Sequence, residues 1–87
     1  MSDSATVVTV LRKNAREEIR VAIDAFKGVD LVDVRVFTDT AGAGDRVPTK
    51  KGISIKLATL PALILGLQKA ETEARSRGLL APDGEAP

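Results

Sequence analysis

With 87 residues, 44% of them apolar and 29% charged, and a net charge of +1, the chain has room for one small domain. It contains no cysteine and no histidine, which excludes disulfides, thiolate metal sites and the usual general base near neutral pH. A domain this short buries only ~60% of its unfolded surface, so oligomerisation is the remaining way to enlarge the core, and a homodimer is expected.

Residues 1–4 read as a mobile start. Residues 5–11 (ATVVTVL) are rich in β-branched side chains and are expected as a first strand. Residues 12–16 (RKNAR) form a basic turn, in which Asn14 tolerates a positive φ. In 18–26 (EIRVAIDAF), Ile19, Val21 and Ile23 alternate with Arg20, Ala22 and Asp24. That period marks a second strand, although 16–26 can also be drawn as a helix. Lys27-Gly28 supplies a turn, with Gly28 taking a backbone angle other residues avoid. Residues 31–38 (LVDVRVFT) make the clearest strand, with Val32, Val34 and Val36 on one face and Asp33, Arg35 and Phe37 on the other.

The loop 39–45 (DTAGAGD) is small and polar and is expected to be mobile. A fourth strand runs from Arg46 to about Leu57, with Ile53, Ile55 and Leu57 alternating with Ser54 and Lys56. Thr59 is placed as a helix N-cap and Pro61 in the first turn. Leu60, Leu63, Ile64, Leu67 and Ala70 then recur at helical spacing. Leu65 lies off that stripe, so the helix is apolar over an arc wide enough to need a second partner. Leu60, Leu63, Ile64, Leu65 and Leu67 are the candidate dimer contacts. Gly78 ends the helix in a left-handed cap, with Leu79 placed to pack on the last turn. Residues 81–87 are expected as a disordered tail. The apolar run LPALILGL falls far short of the ~20 residues of a membrane span. The opening MSDSATVV lacks a signal peptide's basic segment. A soluble, intracellular protein without membrane contact is expected.

Four strands followed by a helix predict an α+β fold: an antiparallel β-meander spanning, with its C-terminal α-helix, residues 5–80. The helix is expected over one face of the sheet, leaving the polar face to bind a partner. Glu17, Glu18, Asp24 and Asp33 are candidates for acid–base chemistry. Solvation, or pairing with Arg20 and Arg35, accounts for them more simply. Gly42, Ala43 and Gly44 ahead of Lys50-Lys51 fail the spacing of a phosphate-binding loop. No catalytic residue, metal site or cofactor is assigned, and the chain is expected not to be an enzyme.

Residues 46–60 carry Arg46, Lys50, Lys51 and Lys56 with no acidic residue among them. Two readings stand: lysines that protect an edge strand from aggregation, or a surface for a polyanion. Gly52 beside Lys51 permits close approach of a ligand backbone, and Arg35 lies on the polar face that Arg46 flanks. Phe26, next to Lys27 at a hairpin tip, is placed to stack a base while the lysine meets a phosphate.

In combination, Phe26-Lys27-Gly28, Leu31-Val32-Asp33-Val34-Arg35 and Pro48-x-x-Lys51-Gly52-Ile53-Ser54-Ile55 ahead of a helix resemble the C-terminal domain of the transcriptional coactivator positive cofactor four. The likeness covers roughly residues 19–70. It implies a four-stranded curved antiparallel sheet, dimerised through its C-terminal helices, with single-stranded DNA held across the dimer. Carried onto this chain, the implied contacts are Phe26, Lys27, Arg35, Lys50, Lys51 and Gly52. The family's stacking tryptophan falls on Thr38, the tyrosine before it on Phe37, and a basic residue after the hairpin on Val29. Those departures predict weaker binding, or less selectivity for melted duplex. The serine-rich regulatory arm of the family's eukaryotic member has no counterpart in these 87 residues, so coactivator regulation is not among the expectations that the resemblance carries.

The expected function is sequence-tolerant binding of single-stranded DNA by a homodimer, in transcription regulation or DNA maintenance. RNA and melted duplex are further candidate ligands, and the transcription machinery a candidate partner. The alternative is a scaffold module for that machinery with no nucleic-acid binding of its own. The expected location is the cytoplasm, with the nucleoid, in a bacterium, or the nucleus in a eukaryote.

Overall fold

A computed structural model describes residues 5–39 and 46–80. The ends expected to be disordered, 1–4 and 81–87, and loop positions 40–45 lie outside the described residues. The strands are β1 (Thr6–Arg12), β2 (Glu17–Phe26), β3 (Val29–Asp39) and β4 (Arg46–Lys56). They form one antiparallel sheet in the order β1-β2-β3-β4, so β1 and β4 are its edges. A 3-10 turn (Leu57–Thr59) leads into the single helix, α1 (Leu60–Ser76). The chain divides into two compact units at Leu57/Ala58, the first holding the sheet and the second the helix. Among the described residues no helix is long and apolar enough to cross a membrane.

The stretch open to both helix and strand is β2. Its alternation places Ile19, Val21 and Ile23 opposite Val36, Val34 and Val32. Directly opposed residues of an antiparallel pair share a face, so these six make one apolar row, continued by Ile53 and Ile55 from β4. On the other face Glu18, Arg20, Ala22 and Asp24 meet Phe37, Arg35, Asp33 and Leu31. The hairpin between β2 and β3 closes in two residues, with Lys27 at φ 53° and Gly28 at φ 79°. That is the mirror-image turn whose twist matches the strands. It lets Phe26 pair at once with Val29, so β3 begins two residues before its predicted start.

The turn between β1 and β2 is built differently from expectation. Asn14 does not adopt a positive φ. Its side-chain oxygen accepts hydrogen bonds from the amides of Arg16 and Glu17, both at 2.9 Å. An Asn side chain stands in for a backbone carbonyl in this way without leaving the common backbone regions.

Helix α1 matches its predicted bounds, with Pro61 in the first turn. Thr59 occupies the N-cap position but makes no capping hydrogen bond. The preceding 3-10 turn leaves Thr59 in a helical backbone conformation, whereas a capping side chain needs an extended one. At the other end, Gly78 (φ 73°) closes a Schellman motif. The Leu79 amide donates to Ala74 and the Gly78 amide to Arg75. The Leu79 side chain, expected to pack on the last turn, is instead 75% exposed. Glu71–Arg75 and Glu73–Arg77 add ion pairs in the favoured i,i+4 order.

Only Ala22, Val32 and Phe37 form a fully buried apolar core among the described residues. Meanwhile Val7, Val8, Val10 and Leu11 of β1, and Ile64, Leu65 and Leu67 of α1, stand exposed. A single chain therefore leaves much of its apolar surface in water.

Candidate nucleic-acid interface

The predicted contacts lie at three places on the sheet. At the hairpin tip, Phe26 is 60% exposed, and the Lys27 amine sits 5.2 Å from its ring centroid, within cation–π range. Lys27 is the only non-glycine described residue at a positive φ, a conformation that costs a side-chain-bearing residue about 1 kcal/mol. Asparagine would fit that position more cheaply.

The second place is the outer strand. Arg35 lies opposite Gly52 and Phe37 opposite Pro48. Between those pairs β3 contributes Val36 alone, while β4 contributes Thr49, Lys50 and Lys51. This is a bulge with two residues more than a regular ladder. Lys50 and Lys51 are exposed on it, and neither forms a salt bridge among the described residues. On the apolar face, Lys51 borders a depression of about 320 Å³ lined by Ile19, Val34, Val36 and Ile53. The lysines therefore sit on an edge strand, next in sequence to Gly52, the pairing partner of Arg35.

Gly52 has a different physical cause from the one predicted. A Cβ there would lie 2.5 Å from the Val34 carbonyl oxygen and 2.8 Å from the Arg35 Cα. The space belongs to β3, so glycine is required for the two strands to close beside the bulge.

Arg35 is half-buried and engaged. Its Nη2 and Nε donate to the Asp33 carboxylate at 2.9 and 3.2 Å, and its Nη1 donates to the Thr49 carbonyl at 2.9 Å. The Asp33 hydrogen bonds hold the guanidinium above its ordinary pKa. A guanidinium committed in this way keeps its charge while its donors are largely spent on the protein.

The third place is the corner at Arg46. Its guanidinium donates to Asp39 Oδ1 at 2.8 Å, to Glu18 Oε1 and to the Ala15 carbonyl. Arg20 also donates to Glu18, while its guanidinium carbon lies 4.1 Å from the Phe37 ring centroid. Hydrogen bonds from Arg20 and then Arg46 hold the Glu18 carboxyl below its ordinary value. Those from Asn14 and then Lys13 do the same for Glu17. Asp39 and then Glu18 raise Arg46. Phe37, 3% exposed beneath Arg20, is core and offers no open ring.

Register brings Arg35 against the lysine bulge but keeps the hairpin tip apart. Phe26 and Arg35 share a face, with Val29, Leu31 and Asp33 between the tip and Arg35. Six residues of strand separate Val29 from Arg35, or roughly 20 Å. Thr38, at the family's tryptophan position, pairs with Glu17 and Val47 on the opposite face. Sequence reasoning missed Thr49, whose hydroxyl donates to the Val36 carbonyl at 2.8 Å and accepts from the Lys51 amide at 3.2 Å. No periodicity marks such a residue; the departure from strict alternation around Pro48 was the only signal.

The family model described as Transcriptional Coactivator p15 (PC4) matches residues 13–65. Two solved structures of BPSL1147, a PC4 homolog from Burkholderia pseudomallei K96243, are similar to this chain at 35% identity. The orthorhombic form covers 82% of this chain and 95% of its own, with a TM-score of 0.73. The tetragonal form covers 78% and 98%, with a TM-score of 0.72. No curated protein matches the chain. The family match spans more than half of the sequence and takes in all three places where the predicted contacts lie: the hairpin tip, the lysine bulge with Arg35, and the corner at Arg46. The chain belongs to the PC4 family.

Proposed function

We propose that the protein binds single-stranded nucleic acid as a homodimer, with little base selection, in transcription regulation or DNA maintenance. The observation that carries this reading is the pair Lys50 and Lys51, exposed on a bulge beside Arg35 without a salt bridge among the described residues. Such amines can exchange counterions for phosphates at little cost to the fold. Phe26 and Lys27 extend the surface with an exposed ring and a second cationic site. Membership of the PC4 family supports the same reading.

The homodimer is supported by Ile64, Leu65 and Leu67, which are 45%, 59% and 60% exposed and recur along α1 with the half-buried Leu60 and Leu63. Apolar side chains clustered this densely on one short helix mark an interaction surface. Light scattering at micromolar concentration should return twice the chain mass, and Leu65→Glu should return the monomer. A wild-type monomer would refute the dimer.

Fluorescence anisotropy with a labelled oligothymidylate tests the binding. Affinity should fall steeply with salt, and absence of binding at low salt would overturn the proposal. β4 is an edge strand, so edge protection by the same lysines makes a different forecast. It expects unchanged binding and increased aggregation when both are removed.

A further inference from the structure

We infer that Thr49 is a positioning residue that holds Lys50 and Lys51 in their binding geometry, an inference that rests on the proposed nucleic-acid binding. From Gly52 to Pro48, β4 advances four residues while β3 advances two, from Arg35 to Phe37. The regular ladder is interrupted there, and the polar backbone groups beside the interruption need other partners. The Thr49 hydroxyl supplies two of them. It donates to the Val36 carbonyl at 2.8 Å and accepts from the Lys51 amide at 3.2 Å. A hydroxyl is suited to this because one oxygen both donates and accepts.

Thr49 is itself held. Arg35 Nη1 donates to its carbonyl at 2.9 Å, and Asp33 fixes the Arg35 guanidinium through two hydrogen bonds. The order runs from Asp33 to Arg35 to the Thr49 backbone, and from the Thr49 hydroxyl to the Lys51 amide. Thr49 is half-buried, whereas Lys50 and Lys51 are exposed. The hydroxyl therefore belongs to the support beneath the lysines rather than to the surface a ligand meets. Losing it releases the Lys51 backbone to water, and the freedom gained must be given up again on binding.

The test compares Thr49→Val, which keeps the β-branched shape without the hydroxyl, with Thr49→Ser, which keeps the hydroxyl. Amide exchange and oligothymidylate affinity are read on both and on the wild type. Thr49→Val should bind about fivefold more weakly and exchange its Lys51 amide about tenfold faster. Thr49→Ser should restore both. Wild-type affinity in Thr49→Val, or equal losses in both variants, overturns the inference while leaving the proposed function standing. No binding by the wild type removes the proposed function and this inference with it. Should Thr49→Val fail to fold, the wild type still decides: a Lys51 amide exchanging as fast as an unstructured one overturns the assignment.

Discussion

Two basic regions of the sheet, the corner at Arg46 and the bulge at Lys50 and Lys51, lie on the same strand and do opposite things with their charge. At the corner, Arg46 and Arg20 converge on Glu18, and Asp39 takes a second share of Arg46. At the bulge, the two lysines have no carboxylate within salt-bridge distance among the described residues. The corner's charges join β2, β3 and β4 and the turn before β2, and so set shape. Those of the bulge make no salt bridge among the described residues, and the proposed binding of a polyanion draws on them. Counting cations along 46–60 treats the two alike; their partners separate them.

Removing the bulge's charge should have the largest effect on binding. Lys50→Ala with Lys51→Ala should weaken oligothymidylate binding by about tenfold or more at low salt. It should reduce the salt slope by roughly 1.4, from about 0.7 per phosphate contact on a single strand. An unchanged slope would erase the distinction between the regions. Gly52→Ala attacks the bulge through shape. Its added Cβ would lie 2.5 Å from the Val34 carbonyl oxygen, and denaturant titration should report a loss of about 1–3 kcal/mol.

The corner should respond in stability and not in salt dependence. Arg46→Gln should lower the thermal midpoint while leaving the salt slope at its wild-type value. Acid provides a second probe. Because Arg20 and Arg46 hold the Glu18 carboxyl below its ordinary value of 4.5, the unfolded chain binds the proton first as pH falls. Stability from this group is complete above that value and is lost as pH drops through the lower, folded one. Glu17 acts in the same direction. Melting curves should therefore show acid destabilisation beginning near pH 4.5, shallower in Glu18→Gln.

The smallest effect belongs to the hairpin tip. Lys27→Asn places a residue suited to positive φ in the turn and should stabilise the fold by about 0.5–1 kcal/mol. Binding should weaken only severalfold, with the slope reduced by about 0.7. A gain in stability together with a loss in affinity would identify Lys27 as held in an unfavourable conformation for the sake of its charge.

Much of this was legible in the chain. Alternation in 18–26 and 31–38 located β2 and β3, Lys27-Gly28 located their turn, and Pro61 and Gly78 bracketed the helix. Local chemistry governs each of those. The partners of the arginines were not legible, because Glu18 and Arg46 stand 28 residues apart and meet only through register. For the same reason the sequence did not show what covers Phe37 on the face it shares with Arg35; Arg20 does so from the neighbouring strand. Gly52 read as room for a ligand, although Val34 and Arg35 occupy that room. The Lys51-Gly52-Ile53-Ser54 pattern pointed to the right family without revealing what Thr49 does for it.

The roughly 20 Å of β3 between the hairpin tip and Arg35 has a consequence for ligand length. A strand too short to reach from Phe26 to the lysine bulge engages one anchor at a time and gains nothing from the other. One long enough to span both makes its second contact at the high effective concentration set by the first. Affinity should therefore rise with oligonucleotide length as a step and then level off, so that under the proposed binding the sheet favours strands long enough to span both anchors.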